Sequence, residues 1–149
     1  MIINTKNINE ARKLIDKTFN EKKQVIVQAQ DSDFNRKILE NKKVSVLLSP
    51  ELTEKDKLKE RGSGLNEVLC RISSKNKIKI GINLEEILKT QGKQKAILLS
   101  RIMQNLKLCK RTKTDLKLFP ETYDKKNAFS WLLSLGDSTQ QAKKSILGN

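Results

Sequence analysis

Short apolar runs alternate with longer amphipathic stretches along the chain. The runs are rich in Ile, Val and Leu and predict five strands, at residues 2–4, 24–28, 44–48, 78–82 and 116–119. The stretches between and after them have helical periodicity, at residues 9–20, 31–41, 65–72 and 93–112 and in two shorter segments before and after Gly136. This alternation is typical of an α/β fold with parallel strands and outer helices.

The longest predicted helix, residues 93–112, has one apolar arc and one polar side. At 100° per residue the arc contains Ala96, Leu98, Leu99, Ile102, Met103, Leu106 and Cys109. The polar side contains Arg101, Gln104, Asn105, Lys107 and Arg111. The helix at 9–20 is predicted to bury Ile8, Ala11, Leu14, Ile15 and Phe19. The charged stretch 51–60 between strand and helix predicts a long solvated loop.

The positive charge is concentrated in one part of the sequence. The 149 residues contain 31 Lys and Arg against 17 Asp and Glu, for a formal charge of +14. No acidic residue occurs between Ile87 and Thr114, and this segment contains Lys89, Lys93, Lys95, Arg101, Lys107, Lys110, Arg111 and Lys113. A second acid-free stretch, 68–84, includes Arg71. A solvated helix usually mixes both signs of charge, so this segregation predicts contact with nucleic-acid phosphates.

The other chemistry of the sequence is limited. Histidine is absent, which removes the commonest general base and metal ligand. Cys70 and Cys109 occupy apolar helical positions and are expected to be buried free thiols. Asp31 and Asp33 follow a predicted strand and are a candidate Mg²⁺ site of a carboxylate-dependent phosphoesterase, but helix capping is the favoured interpretation. Residues 62–64 predict a turn, and Arg61 beside the next helix start is a candidate phosphate contact.

The sequence gives no sign of membrane insertion. No apolar run approaches the roughly 18 residues of a membrane span, and the first residues lack the apolar core of a secretory signal. We therefore expect a cytoplasmic protein without a membrane partner. At 149 residues the expected organisation is one domain over 1–149, shorter than the roughly 200 to 250 residues of a complete β/α barrel.

Several segments resemble archaeal ribonuclease P protein component 3, the thirty-kilodalton-subunit family. They are VLLSP at 46–50, GLNEVLCRI at 64–72, NKIKIGINL at 76–84 and LSRIMQNLKLCK at 99–110. The close, LLSLG at 132–136 followed by QAKKSI at 141–146, resembles the C-terminal signature of that family. Each motif alone is weak, but their shared order over residues 43–147 is specific.

The resemblance implies a shortened TIM-barrel-like fold, related to the polymerase and histidinol phosphatase (PHP) hydrolases but without their metal-binding histidines. It also implies an RNA-binding, non-catalytic subunit of the ribonuclease P holoenzyme, which removes the 5′ leader of precursor tRNA. The partners implied are ribonuclease P RNA and ribonuclease P protein component 2, with precursor tRNA contacted indirectly. No cofactor is expected on the protein, since Mg²⁺ acts through the RNA subunit. Candidate RNA contacts in or beside the matching motifs are Arg61, Arg71, Arg101, Lys107 and Lys110.

The sequence departs from the family pattern in two places. Phe129, Ser130 and Trp131 stand where the family has a Pro-Arg-Asp type sequence, and Lys125 and Lys126 are candidates to replace the missing basic residue. The N-terminal β/α segment of the family is expected to be missing, which leaves an incomplete barrel. The alternative function is that of a small basic protein of ribosomal type, which binds structured RNA without a role in tRNA processing.

Overall fold

A computed structural model describes residues 1–53 and 62–147. The five strands are β1 (Ile2–Ile3), β2 (Ile26–Gln28), β3 (Val46–Leu48), β4 (Lys79–Asn83) and β5 (Leu116–Phe119). The helices are α1 (Ile8–Asn20), α2 (Ser32–Leu39), α3 (Glu67–Lys75), α4 (Leu84–Lys89), α5 (Gly92–Thr112), α6 (Lys125–Ser134) and α7 (Thr139–Leu147). A 3-10 turn, Pro50–Leu52, follows β3. All five strands lie where the sequence predicts them.

The strands form one parallel sheet in the order β1-β2-β3-β4-β5. Val27 pairs with Leu47, Leu47 with Ile80, and Ile80 with Leu116, so one register runs across the sheet. A parallel sheet whose strands follow chain order without a reversal has the arrangement of a β/α barrel, in contrast to a doubly wound sheet. The predicted fold class, with parallel strands and outer helices, is confirmed.

The two faces of the sheet have different surroundings because successive side chains of a strand point to opposite sides. Val27, Leu47, Ile80 and Leu118 belong to the main core, together with apolar residues from the helices. The opposite face has a small separate cluster of Ile26, Val46 and Leu48, with Phe119 packed against it. The helices therefore cover the face of the sheet that carries Val27, Leu47, Ile80 and Leu118.

Asparagine and aspartate side chains determine where most helices begin. Asn7, Asp31, Asn66, Asn83 and Asp124 each accept a hydrogen bond from a backbone N–H in the first turn of α1, α2, α3, α4 and α6, respectively. These N–H groups have no partner within the helix, so the caps stabilise each start by about 1 kcal/mol.

Some predicted positions in the helices are wrong. Phe19 of α1 is 49% exposed although its spacing predicted burial. Ala96 and Met103 of α5 are also exposed, whereas Asn105, predicted on the polar side, is 3% exposed. The buried stripe of α5 consists of Leu98, Ile102, Asn105, Leu106, Cys109 and Thr112. The stripe includes Asn105 because its amide Nδ2 donates to the Ser63 carbonyl at 3.0 Å.

Cys70 and Cys109 are buried free thiols, as predicted. They lie on α3 and α5 and share a hydrogen bond, which together with burial raises the pKa of Cys109. No helix in the described ranges is both long enough and apolar enough to cross a membrane.

Candidate nucleic-acid interface

The outer face of α5 presents the first part of the candidate interface. The buried residues Leu98, Ile102 and Cys109 recur at helical spacing and belong to the main core, whereas Lys107, Lys110 and Arg111 lie on the other side of the helix and are exposed. No acidic residue interrupts α5. The C-terminal half of the helix is therefore a cationic ridge, and its position near the negative end of the helix dipole is favourable.

α3 adds a further arginine to this ridge. Arg71 Nη2 lies 2.6 Å from Glu67 Oε1 within α3, and Arg111 Nη1 of α5 lies 3.8 Å from Glu67 Oε2. The hydrogen bond from Arg71 lowers the pKa of Glu67, which is ionised between the two guanidinium groups. Because the Arg71 and Arg111 side chains are 66% and 64% exposed, these ion pairs are weak and leave donors accessible to phosphate. The structure thus brings together two predicted site residues that are forty positions apart.

A groove of about 510 Å³ lies at the C-terminal end of α5, and its basic residues are Lys110, Lys113 and Lys144. Lys144 Nζ lies 2.7 Å from Asp115 Oδ1. Burial raises the pKa of the neighbouring Asp137 to about 6, while the charge of Lys110 acts in the opposite direction. Lys110 and Lys113 extend the ridge of Arg71, Lys107 and Arg111 around the end of the helix, and these five residues are called the α5 surface below.

Arg101 is directed inward, unlike the residues of the α5 surface. It is half-buried, and its Nη1 donates to the Glu51 carbonyl at 3.0 Å. Asn105, one turn further along, binds the Ser63 carbonyl, so α5 holds both Glu51 and Ser63. The Glu51 side chain is 2% exposed, and burial raises its pKa to about 7. The hydropathy pattern missed this polar contact because it treats every polar residue of a helix as exposed.

The other predicted contacts do not join the α5 surface. Lys95 is half-buried near the start of α5, at the opposite end of the helix from Lys110. Arg61 lies outside the described residues. Lys125 and Lys126 are exposed at the start of α6. Their part in RNA contact stays a prediction.

Asp31 and Asp33 have structural surroundings that match the capping interpretation. Asp31 Oδ1 accepts from the Phe34 N–H at 2.8 Å and caps α2, and Asp33 lies in the first turn of that helix. Among residues 1–53 and 62–147, no group of three or more Cys, Asp or Glu side chains is placed to hold a metal ion. The described residues therefore provide a basic surface and no clustered set of metal ligands.

These observations define a class: a basic α/β protein with a barrel-type parallel sheet and an outward cationic surface suited to nucleic-acid phosphates. The relatives identify the family. Ribonuclease P protein component 3 of Methanococcus maripaludis is 35% identical over 112 residues, which are 75% of this chain and 46% of the relative. The proteins of the same name from Methanococcus vannielii and Methanosarcina acetivorans are 34% identical over 108 residues and 33% identical over 112 residues.

Over the matched residues the chain belongs to the family of ribonuclease P protein component 3. It spans a little under half the length of these relatives, since it covers 44% of the M. vannielii protein and 46% of the M. maripaludis protein. No protein-family model matches the chain.

One solved structure agrees with this assignment. A chain in the cryo-EM structure of archaeal ribonuclease P with mature tRNA superposes with a TM-score of 0.78 and 26% identity. The match covers 99% of this chain and 63% of that one. The crystal structure of an uncharacterised protein matches with a TM-score of 0.58 and 11% identity over 94% of this chain, which shows a shared fold alone.

Proposed function

We propose that the chain is an RNA-binding protein subunit of ribonuclease P and supports removal of the 5′ leader from precursor tRNA. Its curated relatives are components of that ribonucleoprotein, and a chain of similar structure occurs in the archaeal complex with mature tRNA. The observation that supports this role most strongly is the α5 surface. Four of its five residues lie on α5 and at its C-cap, in a segment without acidic residues.

The α5 surface would act by neutralising charge. RNA segments that approach one another repel through their phosphates, and each Lys or Arg that contacts a phosphate releases condensed counterions. A surface built on two packed helices, α5 and α3, holds its cations in fixed relative positions. The chain has few exposed aromatic side chains with which to read bases, so backbone recognition of folded RNA is the favoured mode.

In this proposal cleavage belongs to the RNA subunit, and Mg²⁺ is bound through that RNA. The protein partner expected from the family is ribonuclease P protein component 2, and precursor tRNA is contacted indirectly. The protein itself contributes binding surface. The position of Asp31, the candidate carboxylate of the phosphoesterase alternative, is consistent with these roles, because its side chain caps α2.

The test substitutes Lys107, Lys110 and Arg111 together by Gln. Arg101 is unsuitable, because its contact with Glu51 makes a substitution there a test of folding. The control is Arg12→Gln, Lys13→Gln and Lys37→Gln, which removes the same charge from exposed positions of α1 and α2. Binding to archaeal ribonuclease P RNA is measured between 50 and 200 mM salt, together with precursor-tRNA cleavage after reconstitution with the RNA and component 2.

We expect the α5 variant to reduce the slope of log affinity against log salt by roughly 2 to 3, because each lost phosphate contact removes about 0.7 to 0.9. Cleavage at 200 mM salt should fall accordingly. The control should match the wild type. Equal slopes and equal cleavage for the α5 variant and the control would refute the proposal. Sequencing of RNA that copurifies with the tagged chain separates this role from the ribosomal alternative, which predicts ribosomal RNA.

A further inference from the structure

A second basic region lies at the opposite end of the strands from the turn that contains Glu51. The strands are parallel and follow chain order, so the connections that enter β2, β3 and β4 all meet at the end of the sheet where the strands begin. There they surround a groove of about 880 Å³. Six lysines line this groove and are called the lysine rim: Lys22, Lys23, Lys42, Lys43, Lys77 and Lys79.

Two rim lysines have a backbone conformation that glycine usually adopts. Lys22 and Lys77, just past α1 and α3, have φ angles of 57° each, and Lys113 at the end of α5 has a φ of 56°. The left-handed conformation costs a residue with a Cβ about 1 to 2 kcal/mol. A cation near a helix C-terminus gains only about 0.3 to 1 kcal/mol. Glycine is the usual residue in this conformation, and in this chain each of the three positions has a lysine instead.

Most of the charge on the lysine rim is not neutralised within the protein. Lys23 pairs with Glu21 at 2.7 Å, and Lys43 pairs with Asp16 at 2.8 Å. Within residues 1–53 and 62–147, Lys22, Lys42, Lys77 and Lys79 form no ion pair, and no acidic residue lines the groove. Four ammonium groups around one concavity repel each other, and an anionic ligand would relieve this repulsion.

We infer that the lysine rim is a second phosphate-binding surface, which holds the RNA backbone. The inference rests on the proposed function for the choice of RNA as the partner. Lys113 of the α5 surface contacts α3 beside the lysine rim. Its carbonyl accepts a hydrogen bond from Ser74 Oγ at 3.1 Å, and Ser74 is three residues before Lys77. An RNA strand that contacts Lys110 and Lys113 could thus continue along the sheet edge to Lys77.

The shape and composition of the groove favour RNA over the other anionic partners. A flat membrane surface does not reach the floor of a concave groove, and membrane-binding faces combine lysines with a large apolar side, whereas the apolar residues that line this groove are Phe19 and Val44. Lysines are flexible point charges that suit a phosphate backbone, whereas recognition of planar carboxylates in an acidic protein favours the fork of arginine. Among the described residues, those that line the groove include lysine and no arginine.

The experiment compares Lys22→Gln, Lys42→Gln and Lys77→Gln, made together, with the control Lys6→Gln, Lys13→Gln and Lys37→Gln. All six positions are exposed, and both variants lower the net charge equally. Two probes are used: archaeal ribonuclease P RNA and a plain 20-base-pair RNA duplex. For ribonuclease P RNA, we expect the slope of log affinity against log salt to decrease by about 2 to 3 in the rim variant and by less than about 1 in the control.

A second measurement uses the unmodified protein, so that it does not depend on the folding of a variant. An amine-reactive reagent is applied with and without ribonuclease P RNA, and labelling is read at each lysine by mass spectrometry. Protection of Lys22, Lys42 and Lys77 by RNA, with Lys6 and Lys13 unprotected, supports the inference.

The outcomes separate the inference from the proposed function. If the α5 variant loses salt dependence while the rim variant behaves like its control and the rim lysines stay reactive, the rim inference is wrong and the proposed function stands. If the rim substitutions reduce affinity for the plain duplex as much as for ribonuclease P RNA, the rim binds RNA without preference. A copurified RNA other than ribonuclease P RNA would refute the proposed function alone. An acidic protein that protects the rim lysines where RNA does not would also overturn the inference.

Discussion

The buried carboxyl group of Glu51 predicts that the protein loses stability as the pH rises toward neutrality. Burial raises the pKa of Glu51 from 4.5 to about 7, against a hydrogen bond from its own backbone N–H and the charge of Arg101. The unfolded chain releases this proton near pH 4.5, while the folded protein keeps it until about pH 7. Stability therefore falls across that interval, and the loss is complete above it.

The size of the effect follows from the pKa shift. A shift from 4.5 to about 7 corresponds to about 3 kcal/mol of unfolding free energy. Glu51→Gln keeps the shape of the side chain and is neutral at every pH. We expect the variant to equal the wild type near pH 4 and to exceed it by about 3 kcal/mol at pH 8, which raises the Tm by roughly 6 to 12 °C for a protein of this size.

The assay is urea unfolding followed by circular dichroism at half-unit steps from pH 4 to pH 8.5. Asp137 contributes to the same trend, because its pKa is raised from 3.8 to about 6. Asp137→Asn therefore serves as the comparison, since its effect is confined below about pH 6. Between pH 6 and 7 the wild type and Asp137→Asn should both lose stability, whereas Glu51→Gln should not. If the free energy of unfolding of Glu51→Gln still falls with pH as steeply as that of the wild type between pH 6 and 7, Glu51 is ionised in the folded protein.

Two further substitutions test the assignments of polar side chains. Asp31→Ala should lower the free energy of unfolding by about 1 kcal/mol, because α2 loses its cap; cleavage of precursor tRNA by the reconstituted particle should be unchanged, and its loss in the folded variant would support a catalytic carboxylate. Asn105→Ala should cost about 1 to 3 kcal/mol in urea unfolding, because the buried Ser63 carbonyl loses its donor; a cost near zero would mean that this hydrogen bond does not stabilise the fold.

The sequence predicted the sheet well because each strand is recognisable by itself. Strands such as Val46–Leu48 are short, apolar and rich in residues that suit strands, and they are separated by periodic helices. Capping residues such as Asp31 gave the helix starts for the same local reason. These signals need only neighbouring residues, so a single sequence contains them.

The errors occur where the surroundings of a residue come from distant parts of the chain. Phe19 has the spacing of a core residue, but it lies exposed at the end of α1, where the Lys43 ammonium lies over its ring. Asn105 and Arg101 have polar side chains yet turn inward, because carbonyl groups of Ser63 and Glu51, forty-two and fifty positions away, accept their hydrogen bonds. Hydropathy cannot identify such acceptors before the fold is known.

The two basic regions differ in how they could be found. Four of the five residues of the α5 surface come from one continuous acid-free segment, so counting charges along the chain reveals most of it. The lysine rim comes from single residues or pairs after separate helices, and acidic residues occur between them in the sequence. Parallel strands in chain order bring these connections to one end of the sheet, and in the described part of the chain no acidic residue lines the groove there. A lysine in a glycine conformation just past a helix, as after α1, α3 and α5, is the pattern that sequence analysis can look for in other β/α proteins that bind RNA.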